Sequence, residues 1–289
     1  LDSVKVNKLH GTAGLSLKVE QTDAIKFELD VATELVYSLD KHRFRFSGNV
    51  AYNFLNDTDT GNKGFFHLQG DFFQYRIEGN KREKAPFFFS AAVTYNYDYL
   101  RDLHNRATVA MNFTFQPLRE HPHLCLEPGI GIAGVYQHWD AINARANKLG
   151  VERSALLESY NALPDISREY LRISDKGHYN QWNFKFNAFI NFWGDWDNIA
   201  FHIYTAVQQP VSGAFKASQA QEELLPTEFQ GMLGTKPLPL VGAGGFFQVK
   251  IWKGLSAVSR LDFLWDGGQA PVDSYCLTYC FTQGLSYSW

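Results

Sequence analysis

The chain has 289 residues, a formal net charge of −3, and 24 Phe, 14 Tyr and 7 Trp against only 2 Met. The small negative charge argues against a nucleic-acid binder, and no run of about eighteen consecutive apolar residues exists, which excludes a membrane-spanning helix. A mean hydropathy of −0.27 beside so many aromatics fits a chain in which only alternate residues are apolar, as in a membrane-spanning β-barrel.

Alternation with period two, the mark of a strand with one apolar and one wet face, runs from the start. Near 11–20, Leu15, Leu17 and Val19 oppose Ser16, Lys18 and Glu20. Near 25–38, Ile25, Phe27, Leu29, Val31, Leu35 and Tyr37 face one way, and Lys26, Glu28, Asp30 and Glu34 the other. After a turn at Asp40 and Lys41, Phe44, Phe46, Val50, Tyr52 and Phe54 alternate with Arg43, Arg45, Ser47, Asn49 and Asn53. A fourth strand near 64–78 loses its phase at Phe72 and Phe73, where a bulge is expected.

The fifth, near 86–99, sets Phe87, Phe89, Val93, Tyr95, Tyr97 and Tyr99 against Ser90, Thr94, Asn96 and Asp98. The sixth, near 105–116, sets Val109, Met111, Phe113 and Phe115 against Arg106, Thr108, Asn112 and Thr114. The seventh, near 123–138, has Leu124, Leu126, Ile130, Ile132 and Tyr136 opposite Cys125, Glu127, Gly129, Gly131 and Ala133. The eighth, near 181–193, has Trp182, Phe184, Phe186, Ile190 and Phe192 opposite Asn183, Lys185, Asn187 and Asn191. Strands near 198–208, 240–251 and 255–265 follow, the last with Leu261, Phe263 and Trp265 opposite Ser256, Arg260 and Asp262. The closing stretch, Tyr275 to Trp289, is apolar at every odd position except Gln283. The reading is a single all-β domain over 1–289: an antiparallel up-and-down barrel of about twelve strands, an even number as bacterial single-chain barrels require. Connections alternate between short turns and longer loops, the longest near 139–180 and 209–238.

The closing strand, with its final Tyr287-x-Trp289, resembles the C-terminal assembly signal of Gram-negative outer-membrane barrels. That resemblance implies an outer-membrane location, with both termini on the periplasmic side, and contact with lipid, lipopolysaccharide and the barrel-assembly machinery. The stretches Pro86-Phe87-Phe88-Phe89, Tyr97-Asp98-Tyr99-Leu100-Arg101-Asp102-Leu103 and Glu127-Pro128-Gly129-Ile130-Gly131 resemble the salt-induced outer-membrane protein family, a group without an assigned activity. The seven Trp fall at or near strand ends. Trp139, Trp182 and Trp265 are expected in an outer aromatic girdle, and Trp193, Trp196, Trp252 and Trp289 in an inner one, because indole prefers the interface.

The inner wall is expected to carry both signs of charge: Lys26, Glu28, Asp30, Glu34, Arg43, Arg45, Arg106, Glu127, Lys185, Arg260 and Asp262. Such a wall serves either as a charge-locked filling or as a path for ions and small solutes. In the loop near 139–180, Asp140 is placed to cap a helix over 141–149 ended by Gly150, and a second helix over 154–163 stops at Pro164. Its Leu156, Leu157, Tyr160, Leu163, Tyr170 and Leu171 are too apolar for a solvated loop and are expected to pack on the other long loop; folding into the mouth and binding a partner are the alternatives.

Cys276 and Cys280 lie about 13 Å apart along an extended strand, whereas a disulfide needs under about 7 Å. No metal set or cofactor site stands out. Asp57 to Asn62 lacks the closing Glu of a calcium loop, and His121-Pro122-His123 reads as a solvated turn. No Ser–His pair falls on an outward face near the outer rim, so no enzyme is expected. The functional expectation is a narrow or loop-occluded barrel, structural or accessory in an outer-membrane assembly, with a passive channel for small polar solutes as the alternative.

Overall fold

Alternation closes into a ring. The computed structural model describes residues 8–21, 25–39, 41–53, 62–78, 81–99, 102–212, 223–230, 232, 239–266 and 276–288. Its strands are β1 (Lys8–Gln21), β2 (Ile25–Leu39), β3 (His42–Asn53), β4 (Asn62–Phe72), β5 (Tyr75–Glu78), β6 (Lys81–Lys84), β7 (Phe87–Asp98), β8 (Leu103–Phe115), β9 (Leu124–Asp140), β10 (His178–Asp195), β11 (Ile199–Ser212), β12 (Leu240–Trp252), β13 (Leu255–Asp266) and β14 (Cys276–Ser288). All but β5 and β6 form one closed antiparallel barrel of twelve strands, in which β14 pairs back onto β1 with Leu15 across from Leu285. Closure leaves no unpaired sheet edge in the wall, the condition for crossing a bilayer with strands.

The pleat sorts the residues as their spacing predicts. Along β7, Phe87, Phe89, Val93 and Tyr95 are exposed, while Phe88, Ser90 and Ala92 are buried. Leu68, Met111, Ile130, Phe186, Ile203 and Leu261 extend the exposed apolar surface around the ring. Such a continuous apolar exterior is unfavourable in water and matches hydrocarbon.

The chain behaves differently from expectation at Phe73. There is no bulge: β4 ends at Phe72, Phe73 adopts a φ of 60°, and the chain leaves the barrel to form the separate β5–β6 hairpin. That hairpin is tied to the barrel by Tyr75 N–H to Lys41 O and Ala85 N–H to Gln74 O. The phase muddle in the sequence was the exit of the strand.

Between β9 and β10 lie three helices, α1 (Ala141–Leu149), α2 (Arg153–Asn161) and α3 (Asp165–Leu171). Asp140 caps α1 by accepting from Asn143 N–H at 3.0 Å, and Gly150 ends it in the left-handed region at φ 67°. Alpha-3 follows Pro164 directly and was not expected. The short connections that follow β2, β8, β10 and β12 share one end of the barrel with the β5–β6 hairpin; the helices and the described residues 223–230 and 232 lie at the other.

Candidate functional site

Two features define what this barrel can do, its polar interior and the cap over its long-loop end. Inside, Arg43 bonds Asp71 twice, Nη2 to Oδ2 at 2.6 Å and Nε to the same oxygen at 2.8 Å. Gln69 donates to the other carboxylate oxygen of Asp71 at 2.6 Å and also pairs with His67, which reaches Thr94. Arg45 lies 3.4 Å from Glu34. Near the short-turn end, Glu127 accepts from Gln116 at 2.5 Å and from the thiol of Cys125 at 3.6 Å. Asp71, Gln116, Glu127 and Lys185 are all buried to within a few per cent. On this arc the wall is filled by polar side chains bonded to one another, although Gln116 Oε1 is buried with no hydrogen-bond partner.

Glycine makes the filling possible. A Cβ on Gly131 would stand 2.3 Å from the Met111 carbonyl and 2.1 Å from Asn112 Oδ1, and one on Gly129 would meet the ring of Phe189. Across the ring the wall is looser. Arg260 Nε and Asp262 Oδ2 are 2.6 Å apart and Tyr204 donates to Asp262 at 2.6 Å, yet the Arg260 side chain is still 50% exposed.

At the long-loop end, inward-pointing Leu103, Trp139 and Tyr179 join Ala141, Ile142, Ala146, Leu156, Tyr160, Leu171 and Ile173 in one apolar core. Leu225, Phe229 and Met232, from the second long connection, complete it. The cap is thus seated on the inward side of the rim at β8, β9 and β10. Arg145, buried on α1, donates to the carbonyls of Glu228 at 2.7 Å, Gln230 at 2.8 Å and Thr227 at 3.3 Å. Burial pulls its pKa below the ordinary arginine value; three carbonyls replace the lost water, and the guanidinium locks the two connections together. Tyr160, fully buried, donates to the carbonyl of Ile173, and burial raises its pKa. Asp102 accepts from Asn143 at 2.5 Å and from Asn147 at 3.3 Å, tying α1 to the rim between β7 and β8.

Of the residues expected to line the lumen, Glu34, Arg43, Arg45, Arg106, Glu127, Lys185, Arg260 and Asp262 lie on the inward face. Arg106 donates to Gln137 at 3.2 Å. The side chains of Lys26, Glu28 and Asp30 lie outside the described residues; the backbone register sets Lys18 across from Glu28 and Glu20 across from Lys26. Trp182 is 71% exposed on the outward face. Trp265 shares that face, and Trp196 and Trp252 stand exposed at the short-turn end.

Two girdle positions are corrected. Trp139 is 4% exposed in the cap core, with Nε1 donating inward to Gln137 at 3.0 Å. Trp193 faces the lumen, in register with Cys125 and His202 and packed on the His202 ring. Trp289 and the stretch Asp57 to Thr60 lie outside the described residues. His121 is used within its turn, Nδ1 accepting from the N–H groups of His123 and Leu124. Sequence reasoning passed over His104, His138 and His178, which the structure gathers at the long-loop rim.

No family model matches the chain, and neither does any curated protein. Among solved structures it is similar to the NanC porin, at 7% identity and a TM-score of 0.47 over 94% of this chain and 98% of that one. An outer membrane channel from Pseudomonas putida F1 gives 7% identity and a TM-score of 0.48, with 100% of both chains covered. The translocator domain of the autotransporter NalP from Neisseria meningitidis gives 9% and 0.40, over 99% of this chain and 90% of that one. At these values the likenesses carry no argument about substrate or role.

Proposed function

We propose that this chain is an integral outer-membrane barrel held shut at its outer mouth by its own cap, with a structural or accessory role rather than that of a general pore. The observation that carries this reading is the cap core, which is built on the inward side chains Leu103, Trp139 and Tyr179 and joined to the second long connection by Arg145. The hydrogen-bonded filling around Asp71 and Glu127 narrows the bore further. On this reading the short turns and both chain ends are periplasmic, lipid and lipopolysaccharide cover the apolar wall, and the assembly machinery recognises the strand that carries Tyr287 and Trp289. The cap is the surface offered to other envelope proteins. No catalytic step belongs to this reading.

A passive channel for small polar solutes is the second reading. It is favoured by the looser arc near Arg260, where a charged side chain is half solvated inside the barrel. Proteoliposome swelling distinguishes the two. Vesicles carrying the intact protein should swell in small sugars no faster than empty ones. Swelling that falls off with solute size would establish the channel instead.

A further inference from the structure

His104, His138 and His178 come from three neighbouring strands and meet at the outer rim. Imidazole nitrogens from all three lie within 4.8 Å of one another. Their ring centroids are 4.9 Å apart for His138 and His178, 5.3 Å for His104 and His138, and 5.5 Å for His104 and His178. The backbone builds this meeting. On β9 and β10, His138 pairs with Asn180 and His178 with Asp140, so the two histidines are diagonal neighbours on one face. On β8 the register shifts between Leu103 and Asn105, leaving His104 as the extra residue of a bulge. That shift reverses the alternation, sending Leu103 into the cap core and His104 to the face of the other two.

We propose that these three side chains form a binding site for a divalent transition-metal ion of the zinc class. Three neutral imidazoles with an open fourth position suit such an ion, whereas calcium and magnesium want oxygen ligands. Two further observations point to a ligand. His138 Nδ1 lies 2.6 Å from Asn180 Oδ1, an oxygen that also accepts from the Tyr136 hydroxyl at 2.8 Å. An oxygen acceptor makes Nδ1 the protonated nitrogen and leaves the Nε2 lone pair for a metal, the usual outer arrangement of a ligating histidine. His178 Nδ1 is buried and has no hydrogen-bond partner, an orphaned polar atom that needs a reason. Bonds of about 2.05 Å in a tetrahedral site set nitrogens about 3.3 Å apart, so small ring movements close the set. All three side chains are partly exposed, which gives an ion access from outside. Each ligand is the chain neighbour of a cap-core residue, Leu103, Trp139 or Tyr179, so the ion would staple the three strands on which the cap rests.

The test uses the full chain, free of any polyhistidine tag and refolded in detergent, with Co2+ as the visible probe and Zn2+ as competitor. The expected result is saturable binding of one Co2+ per barrel, with visible bands that Zn2+ erases. His138→Ala and His178→Ala should weaken binding by more than tenfold. Asn180→Ala, which removes only the acceptor behind His138, should weaken it about tenfold. His121→Ala should leave it unchanged. Independently of any variant, Zn2+ should protect His104, His138 and His178, and not His121, from diethyl pyrocarbonate. No saturable binding, or binding and protection indifferent to these three positions, would show the trio to be an aromatic cluster only.

Discussion

Val109 sits at the middle of β8, points away from the lumen and is 59% exposed. Its partners in register are Val93 on β7 and Gly134 on β9. If this surface meets hydrocarbon, Val109→Arg places a guanidinium near the bilayer midplane at a cost of about 2–4 kcal/mol, whereas near an interface the cost is about 0–1 kcal/mol. Phe115 lies on the same face, 115 − 109 = 6 residues further along. At about 3.4 Å per residue and a tilt of about 40°, those steps descend roughly 15 Å along the membrane normal. That exceeds half the height of an apolar band about 25 Å tall, so Phe115 belongs to the interface. Each site needs its own Ala variant, so that the lost side chain is separated from the added charge. In a urea titration of folding into lipid vesicles, Arg should be worse than Ala by about 2–4 kcal/mol at 109 and by under about 1 kcal/mol at 115. Equal penalties at both sites, or none at Val109, would refute the assignment of the exterior to lipid.

Three further outcomes follow from the cap and the wall. Arg145→Ala should loosen the second connection by about 2 kcal/mol, through the loss of charge-assisted bonds, read as faster proteolysis within 223–232 while the barrel stays heat-modifiable. Tyr160 has a folded pKa above its unfolded value, so the stability it lends the cap is complete below about pH 10 and is lost as pH rises through the folded value; Tyr160→Phe should remove that alkaline loss in a proteolysis-versus-pH series. Gly131→Val should lower the folded yield sharply, since its Cβ would meet the Met111 carbonyl at 2.3 Å, a backbone atom with no room to yield; a normal yield on electrophoresis without heating would contradict the fit.

The strands and their faces were legible because a barrel writes its inside and outside on alternate residues. Phe87 and Phe89 against Ser90 is enough to orient β7. The cap helices were legible through Asp140, Gly150 and Pro164, although α3 was hidden in a stretch too short to show a period. Trp139 and Trp193 were misplaced because position at a strand end was weighed above parity. In β9 the outward residues Ile130, Ile132 and Tyr136 are even-numbered, and in β10 so are Trp182, Phe186 and Ile190; an odd-numbered Trp on either strand therefore points inward. The histidine trio was not legible. Its members are 34 and 40 residues apart in the chain, and a bulge, which alternation alone does not reveal, is what turns His104 toward the others.

Ion conduction tests the closed barrel most directly. In a planar bilayer the intact protein should pass little or no steady current, because the cap core rests on the inward side chains Leu103, Trp139 and Tyr179 and takes in Phe229 of the second connection. Removing residues 141–178 should raise the current if the cap is the plug, and should leave it low if the wall around Asp71 and Glu127 closes the bore by itself. Large, stable, porin-like steps from the intact protein would contradict the occluded barrel and establish an open channel.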